Sequence, residues 1–232
     1  QNAIWWLSVN NNNGKFKERH WKERSDILHL YQSHYAKSHI VNNIKEKEDL
    51  SKRVLPMTEF IPPRTVTTNM DQELSGASSR DLQVVYNPFK GIHYTDDIIK
   101  RSEKKLKFTA IGAREKLTPE QVRDLLHRAK VYIDFGPHPG MDRLPREAAM
   151  AQCIVITNKD GAAFYDEDVP IPSRYKVGNF DVDHIHKLLM ESVEKYDEKK
   201  KDFDTYRSWI ADQEKKMDAC VEKLISSIHS NR

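Results

Sequence analysis

Read for apolar and polar positions alone, the chain falls into short β-branched or aromatic runs separated by amphipathic or polar stretches. Ala3 to Val9, Ile27 to Tyr31 and Arg53 to Met57 read as three strands, with Ser33 placed to cap a helix carrying Tyr35, Ile40 and Val41. Ile61-Pro62-Pro63 ends this part, and the polar stretch Arg64 to Arg80 reads as a linker or loop.

A cleaner alternation starts at Asp81. Strands are predicted over Leu82 to Tyr86, Lys107 to Ile111, Val131 to Ile133 and Cys153 to Thr157. Between them lie helices over Thr95 to Lys105, from Thr118, and from the neighbourhood of Pro145 to Gln152. Asp96 and Asp97 are expected in the first turn of the first of these, where the helix dipole favours acids. Thr118-Pro119-Glu120-Gln121 has the form of a capping box, and Val122, Leu125, Leu126 and Ala129 make one apolar stripe. Val131, Tyr132 and Ile133 show no polar alternation, as a strand buried on both faces requires. Strands alternating with helices in this way predict an α/β fold with a parallel sheet covered on both sides. From Asp181 the period becomes helical, with one stripe through Val182, Ile185, Leu189 and Val193 and a longer one from Phe203 to Ile228. The run Lys199 to Lys201 between them reads as a solvated helix junction.

Composition narrows the function classes. A formal charge of +3 over 232 residues, without a basic cluster interleaved with aromatics, gives no ground for a nucleic-acid partner. Two cysteines, Cys153 in a buried-looking strand and Cys220 in the helical tail, do not form a disulfide framework and fit a reducing, cytoplasmic setting. No apolar run approaches the roughly 18 residues of a membrane helix. Neither a G-x-x-x-x-G-K-[ST] loop nor a G-x-G-x-x-G after a strand is present, so the ordinary ATP and NAD signatures are missing. His184 and His186 in the tail stand two apart and face different sides of a helix, so no metal site is expected there or elsewhere.

The chemistry gathers between Lys130 and Gly161, where Gly136-Pro137-His138-Pro139-Gly140 breaks the chain after a strand and a helix follows. Ligands of open parallel sheets bind at that edge. With Pro145 at the helix start, Arg143 falls just before it and Arg146 and Glu147 in its first turn. Two guanidinium groups beside free backbone N–H groups suit phosphate, and a carboxylate there suits the hydroxyls of a ribose. The alternative reading is a surface salt-bridge cluster. His138, between two prolines in a stiff polar loop, is hard to explain as packing. Lys90-Gly91 ends the strand before, on the same sheet edge, and Arg114 follows the next strand. Both are candidate phosphate contacts.

These residues resemble a family. Asn87-Pro-Phe-Lys90-Gly91, the Thr118-Pro-Glu-Gln helix and the run YIDFGPHPGMDRLPREAAMAQCIVITNKDGAA are similar to the donor-binding C-terminal domain of GT-B glycosyltransferases, in particular bacterial enzymes of surface-polysaccharide synthesis. Glu147-Ala-Ala-Met-Ala followed by Ile154-Val-Ile fits the second half of the family's pattern of two acidic residues. Asp134-Phe-Gly stands where the first acid would be, but farther from Glu147 than the family spacing, with Pro137 to Asp142 as an apparent insertion.

The resemblance implies a GT-B type fold with three parts: residues 1–75 as a partial acceptor-side lobe, 76–180 as the nucleotide-sugar lobe, and 181–232 as helices crossing back to the first lobe. A chain opening on Gln1 is expected to lack the front of the first lobe, since a complete one needs on the order of 150 residues. It implies transfer of a sugar from a nucleotide sugar to a hydroxyl of a saccharide or lipid-linked saccharide, without metal or further cofactor, in the cytoplasm at the inner face of the membrane. The expected catalytic residues are His138, Arg143 and Glu147, with Lys90, Gly91, Arg114, Asp134, Gly140, Asp142 and Arg146 at the donor. A general base would come from the first lobe, with Glu59 and His34 as candidates. The alternative is a catalytically incomplete sugar-nucleotide-binding or scaffold protein of the same fold.

Overall fold

A computed structural model of the chain describes residues 2–12, 27–44, 50–62, 80–112 and 116–230. Two parallel sheets face one another. The first has the order β1-β2-β3, with β1 Asn2–Trp6, β2 Ile27–Tyr31 and β3 Val54–Pro56. Helix α1, His34–Asn43, starts where Ser33 predicts: its hydroxyl accepts the Ala36 N–H at 3.0 Å. A single turn, α2 (Leu50–Arg53), precedes β3, so the strand expected from Arg53 to Met57 is shorter at both ends. Trp6, Ala36, Ile40, Ile44 and Val54 form one small core, and Leu30, Leu55 and Met57 form another.

The second sheet is larger and holds the main core. Its strands β4 Leu82–Tyr86, β5 Phe108–Ala110, β6 Ala129–Asp134, β7 Ile154–Asn158 and β8 Lys176–Val177 run in the order β5-β4-β6-β7-β8, all parallel. The two-residue β8 is an addition to the four strands legible in sequence. The central β6 and β7 are buried on both faces, which is why they carry unbroken apolar runs.

Helices α3 (Ile92–Ser102), α4 (Pro119–Arg128) and α5 (Arg143–Met150) make the crossovers. The capping box of α4 is present with both of its hydrogen bonds. Helix α3 begins three residues earlier than predicted, because Gly91 adopts a left-handed φ of 56° and its carbonyl accepts the Thr95 N–H. Asp96 and Asp97 therefore lie beyond the first turn. Helix α5 likewise begins at Arg143, two residues before Pro145.

The tail divides. Helices α6 (Val182–Glu194), α7 (Tyr196–Lys199) and α8 (Asp204–Ala211) pack on the second sheet's core through Ile185, Leu189, Val193, Tyr196, Tyr206 and Ile210. Helix α9, Gln213–Ser230, lies against the first sheet, with Cys220 and Leu224 on Leu30, Leu55 and Met57. Thr58 donates its hydroxyl to Gln213 Oε1 at 2.7 Å beside that contact. His186 turns inward to Ser102 at 2.8 Å while His184 is exposed, so the two do not share a ligand. Among the described residues no helix is long and apolar enough to cross a membrane.

Candidate functional site

The carboxyl ends of β4 and β6 bring together a compact polar cluster. Lys90, in the loop after β4, places Nζ 2.6 Å from Asp142 Oδ2, and His138 Nδ1 approaches the same oxygen at 2.9 Å. Burial alone would push the Asp142 carboxyl up, but the His138 hydrogen bond and the Lys90 ammonium outweigh it and hold it below the usual carboxylate value. Asp134, at the end of β6, is buried and accepts from Tyr132 Oη at 2.9 Å and from the Gly136 N–H at 3.2 Å. Asp134, His138 and Asp142 lie close enough together to hold one cation. In this arrangement the Lys90 ammonium pairs with Asp142, and both oxygens of Asp134 accept hydrogen bonds. His138 Nε2 and Thr157 Oγ1 are buried without a hydrogen-bond partner among the described residues, and both residues line one small cavity with room for about one water.

Gly91 is a backbone element of this edge. A Cβ on it would meet the Phe135 carbonyl at 2.4 Å, so the close approach of the Lys90-Gly91 loop to β6 depends on glycine there.

On the other side of the α5 start lies an open cavity of about 430 Å³ between α4 and α5. Lys116, Leu117, Val122, Arg123, Arg143 and Glu147 are among its lining residues. Glu147 is mostly buried and accepts from Arg143 Nη2 at 3.2 Å, while Arg143 is half-exposed at the rim. Three permanent cations and one carboxylate around an apolar floor suit a ligand with anionic and hydroxyl groups. Lys116 and Arg123 were not foreseen. Their only signal in sequence is that they flank the Thr118 capping box, on the same sheet edge.

The expected arginine pair is split. Arg146 is buried to 1% exposure and turns away from the cavity, toward the first sheet. Its guanidinium donates to Glu59 Oε2 at 2.8 Å, to the Glu59 carbonyl at 3.2 Å, and to the carbonyls of Met141 at 2.8 Å and Asp142 at 3.2 Å. It holds the two sheets together and has no free donor face toward phosphate. Gly140 belongs to the same contact: a Cβ there would lie 2.0 Å from the Leu7 carbonyl, and the adjacent Pro139 carbonyl accepts the Val9 N–H at 2.9 Å. The apparent insertion Pro137 to Asp142 is thus the strip on which the first sheet docks. Glu59, a base candidate in sequence, spends Oε2 on Gln32 and Arg146, and His34 sits beside the buried Asp168, whose carboxylate caps α1 across the two sheets. Arg114 lies outside the described residues.

The fold defined by these parts, two facing parallel-sheet lobes with a last helix returning to the first, is that of GT-B glycosyltransferases. Solved structures with this architecture superpose over most of the chain. Anabaena Alr3699/HepE, in complex with UDP and glucose, matches at TM-score 0.66 and 11% identity, covering 97% of this chain and 71% of that one. S. aureus TarM, in complex with fondaparinux, alpha-GlcNAc-glycerol and UDP, matches at TM-score 0.65 and 11% identity over 92% of this chain. Sucrose-phosphate synthase of Thermosynechococcus elongatus matches at TM-score 0.67 and 10% identity, over 99% of this chain and 68% of that one. This chain spans 45% of the length of the TarM chain. No protein-family model and no curated protein sequence matches it.

Proposed function

We propose that the chain carries the donor site of a glycosyltransferase that moves a sugar from a nucleotide sugar to a hydroxyl acceptor. The observation that carries this reading is the cavity between α4 and α5, with Glu147 set inside it and Arg143, Lys116 and Arg123 around it. In the transfer, the bond from the anomeric carbon to the leaving phosphate oxygen breaks and a bond to the acceptor oxygen forms. The acceptor's proton leaves to a base, and negative charge grows on the departing diphosphate.

Arg143 at the first turn of α5 is at the cavity rim to meet that charge, which is the main electrostatic task of the step, and Lys90, paired with Asp142 across the α5 start, is a second candidate for it. Glu147 accepts the ribose hydroxyls. His138 holds Asp142, and Asp142 holds Lys90, so the imidazole acts by orienting the ammonium. Because fixed cations supply the charge, we propose transfer without a metal or further cofactor. HepE and TarM were solved with UDP, which favours UDP as the leaving group. The finer expectations, a saccharide or lipid-linked acceptor, polysaccharide synthesis and action at the inner membrane face, belong to this same proposal.

Calorimetry with UDP-, GDP- and CMP-sugars tests it. One of them is expected to bind, and Glu147→Ala to weaken that binding about tenfold or more. No binding by any of the three, or binding untouched by the substitution, overturns the reading. Binding without turnover by the 232-residue chain would instead favour a sugar-nucleotide-binding or scaffold protein of this fold.

A further inference from the structure

Helix α5 carries the Arg143 and Glu147 wall of the cavity and packs on its own lobe's core through Ala148 and Ala149, but its N-cap residue does not cap its start. Asp142 occupies the N-cap position and makes no capping hydrogen bond, because its carboxylate is given to Lys90 and His138. An uncapped helix of eight residues is poorly anchored by itself. Lys90 and His138 hold Asp142 from the helix's own lobe, and a second set of contacts to its start comes from the first sheet. Gln32, just past β2, accepts the Met141 N–H on Oε1 at 3.1 Å and donates Nε2 to Glu59 Oε2 at 2.8 Å. Glu59, just past β3, passes that same oxygen on to Arg146 Nη2, and Arg146 closes the ring on the Met141 carbonyl. Gln32, Glu59, Arg146 and Met141 thus form a closed hydrogen-bonded loop, with no room for a side chain at the neighbouring Gly140.

We infer that Gln32 and Glu59 are positioning residues for the donor site: they do not line the cavity between α4 and α5, and act by fixing the first turn of α5 from the opposite lobe. The inference rests on the donor reading above for its functional meaning, while the positioning itself does not. Arg146 is buried, so its charge needs Glu59; Met141 N–H and Glu59 Oε2 are bridged by one amide, so neither partner can be replaced by solvent without opening the ring. Separating the lobes would free the first turn of α5 from this ring and loosen the spacing of Arg143 and Glu147 against Lys90.

The test compares the chain with Gln32→Ala, and with Glu59→Gln, which keeps an acceptor oxygen but removes the charge. Amide hydrogen exchange is read without ligand at Met141 and along Glu147–Ala151, with β6 and β7 as internal reference. Gln32→Ala is expected to speed exchange at Met141 and in α5 about tenfold and to leave β6 and β7 unchanged, with Glu59→Gln intermediate. UDP affinity is expected to fall about tenfold in Gln32→Ala, and the loss to be less than additive with Glu147→Ala, since both act on one helix. Unchanged exchange in α5, or an equal rise in β6 and β7, overturns the inference. Failure of the unsubstituted chain to bind UDP counts against UDP as the donor nucleotide, and the exchange measurement still decides whether Gln32 and Glu59 position α5.

Discussion

Lys90 and Asp142 meet at 2.6 Å between Nζ and Oδ2, joining the loops that follow β4 and β6. Both side chains keep about a quarter of their surface, so the pair contributes at most about 1 kcal/mol to stability. In the proposed donor site its weight falls on the ligand. Lys90→Met is expected to shift the melting temperature by no more than a few degrees while weakening nucleotide-sugar binding about tenfold and flattening its salt dependence. Calorimetry at two ionic strengths reads both effects.

Arg143 and Arg146 should part company in the same assay. Arg143→Ala removes a half-exposed group at the cavity rim, with a stability change below about 1 kcal/mol and a clear loss of nucleotide affinity. Arg146→Ala leaves the Met141 carbonyl without its side-chain donor and the Glu59 carboxylate without its cation, with Gln32 alone still donating to it inside the lobe contact. That is expected to cost about 3 kcal/mol or more. Denaturant titration beside ligand titration separates the two.

Gly140→Ala tests the docking strip directly. The added methyl would stand 2.0 Å from a backbone carbonyl of Leu7, which cannot swing aside as a side chain would. Overpacking of this kind typically costs about 1–3 kcal/mol. Loss of stability is expected, together with faster proteolysis between the lobes; an unchanged unfolding curve would show the lobes not to be docked here.

Acid should loosen the first sheet through His29. Burial first, and then the charge of Arg53, lower its pKa from the ordinary 6.5 to about 4. Trp6 Nε1 donates to His29 Nδ1 at 3.1 Å, a bond that needs the neutral ring. Between these two values the unfolded chain holds the proton and the folded chain does not, so stability rises with pH through that window. The contribution is complete above about pH 6.5 and is lost as pH falls toward 4, to the extent of about 3 kcal/mol at most. Melting curves at pH 7 and 4.5 are expected to differ less in His29→Gln than in the unsubstituted chain.

Much of the second sheet was legible in sequence because its signals are local. The unbroken apolar runs of β6 and β7, the capping box at Thr118 and the stripe on α4 each depend on neighbours within a few residues. The pairing of Lys90 with Asp142 joins loops 52 positions apart, but both loops follow carboxyl ends of parallel strands, so strand polarity puts them on one sheet edge. Helix starts at Ile92 and Arg143 were placed late, since a left-handed glycine and an N-cap without a capping bond leave weak marks.

What sequence could not decide was direction across the two lobes. On a helix of 3.6 residues per turn, Arg146 and Glu147 point about 100° apart, so only one of them can face a cavity on a given side. Periodicity states that angle but not which side the first sheet occupies. The docking of that sheet, through Gly140 on Leu7 and through Gln32 and Glu59 on Met141 and Arg146, joins residues up to 133 positions apart. Partners so distant are chosen by the packing of whole lobes, and that packing turned Arg146 from an expected phosphate ligand into the bolt between them.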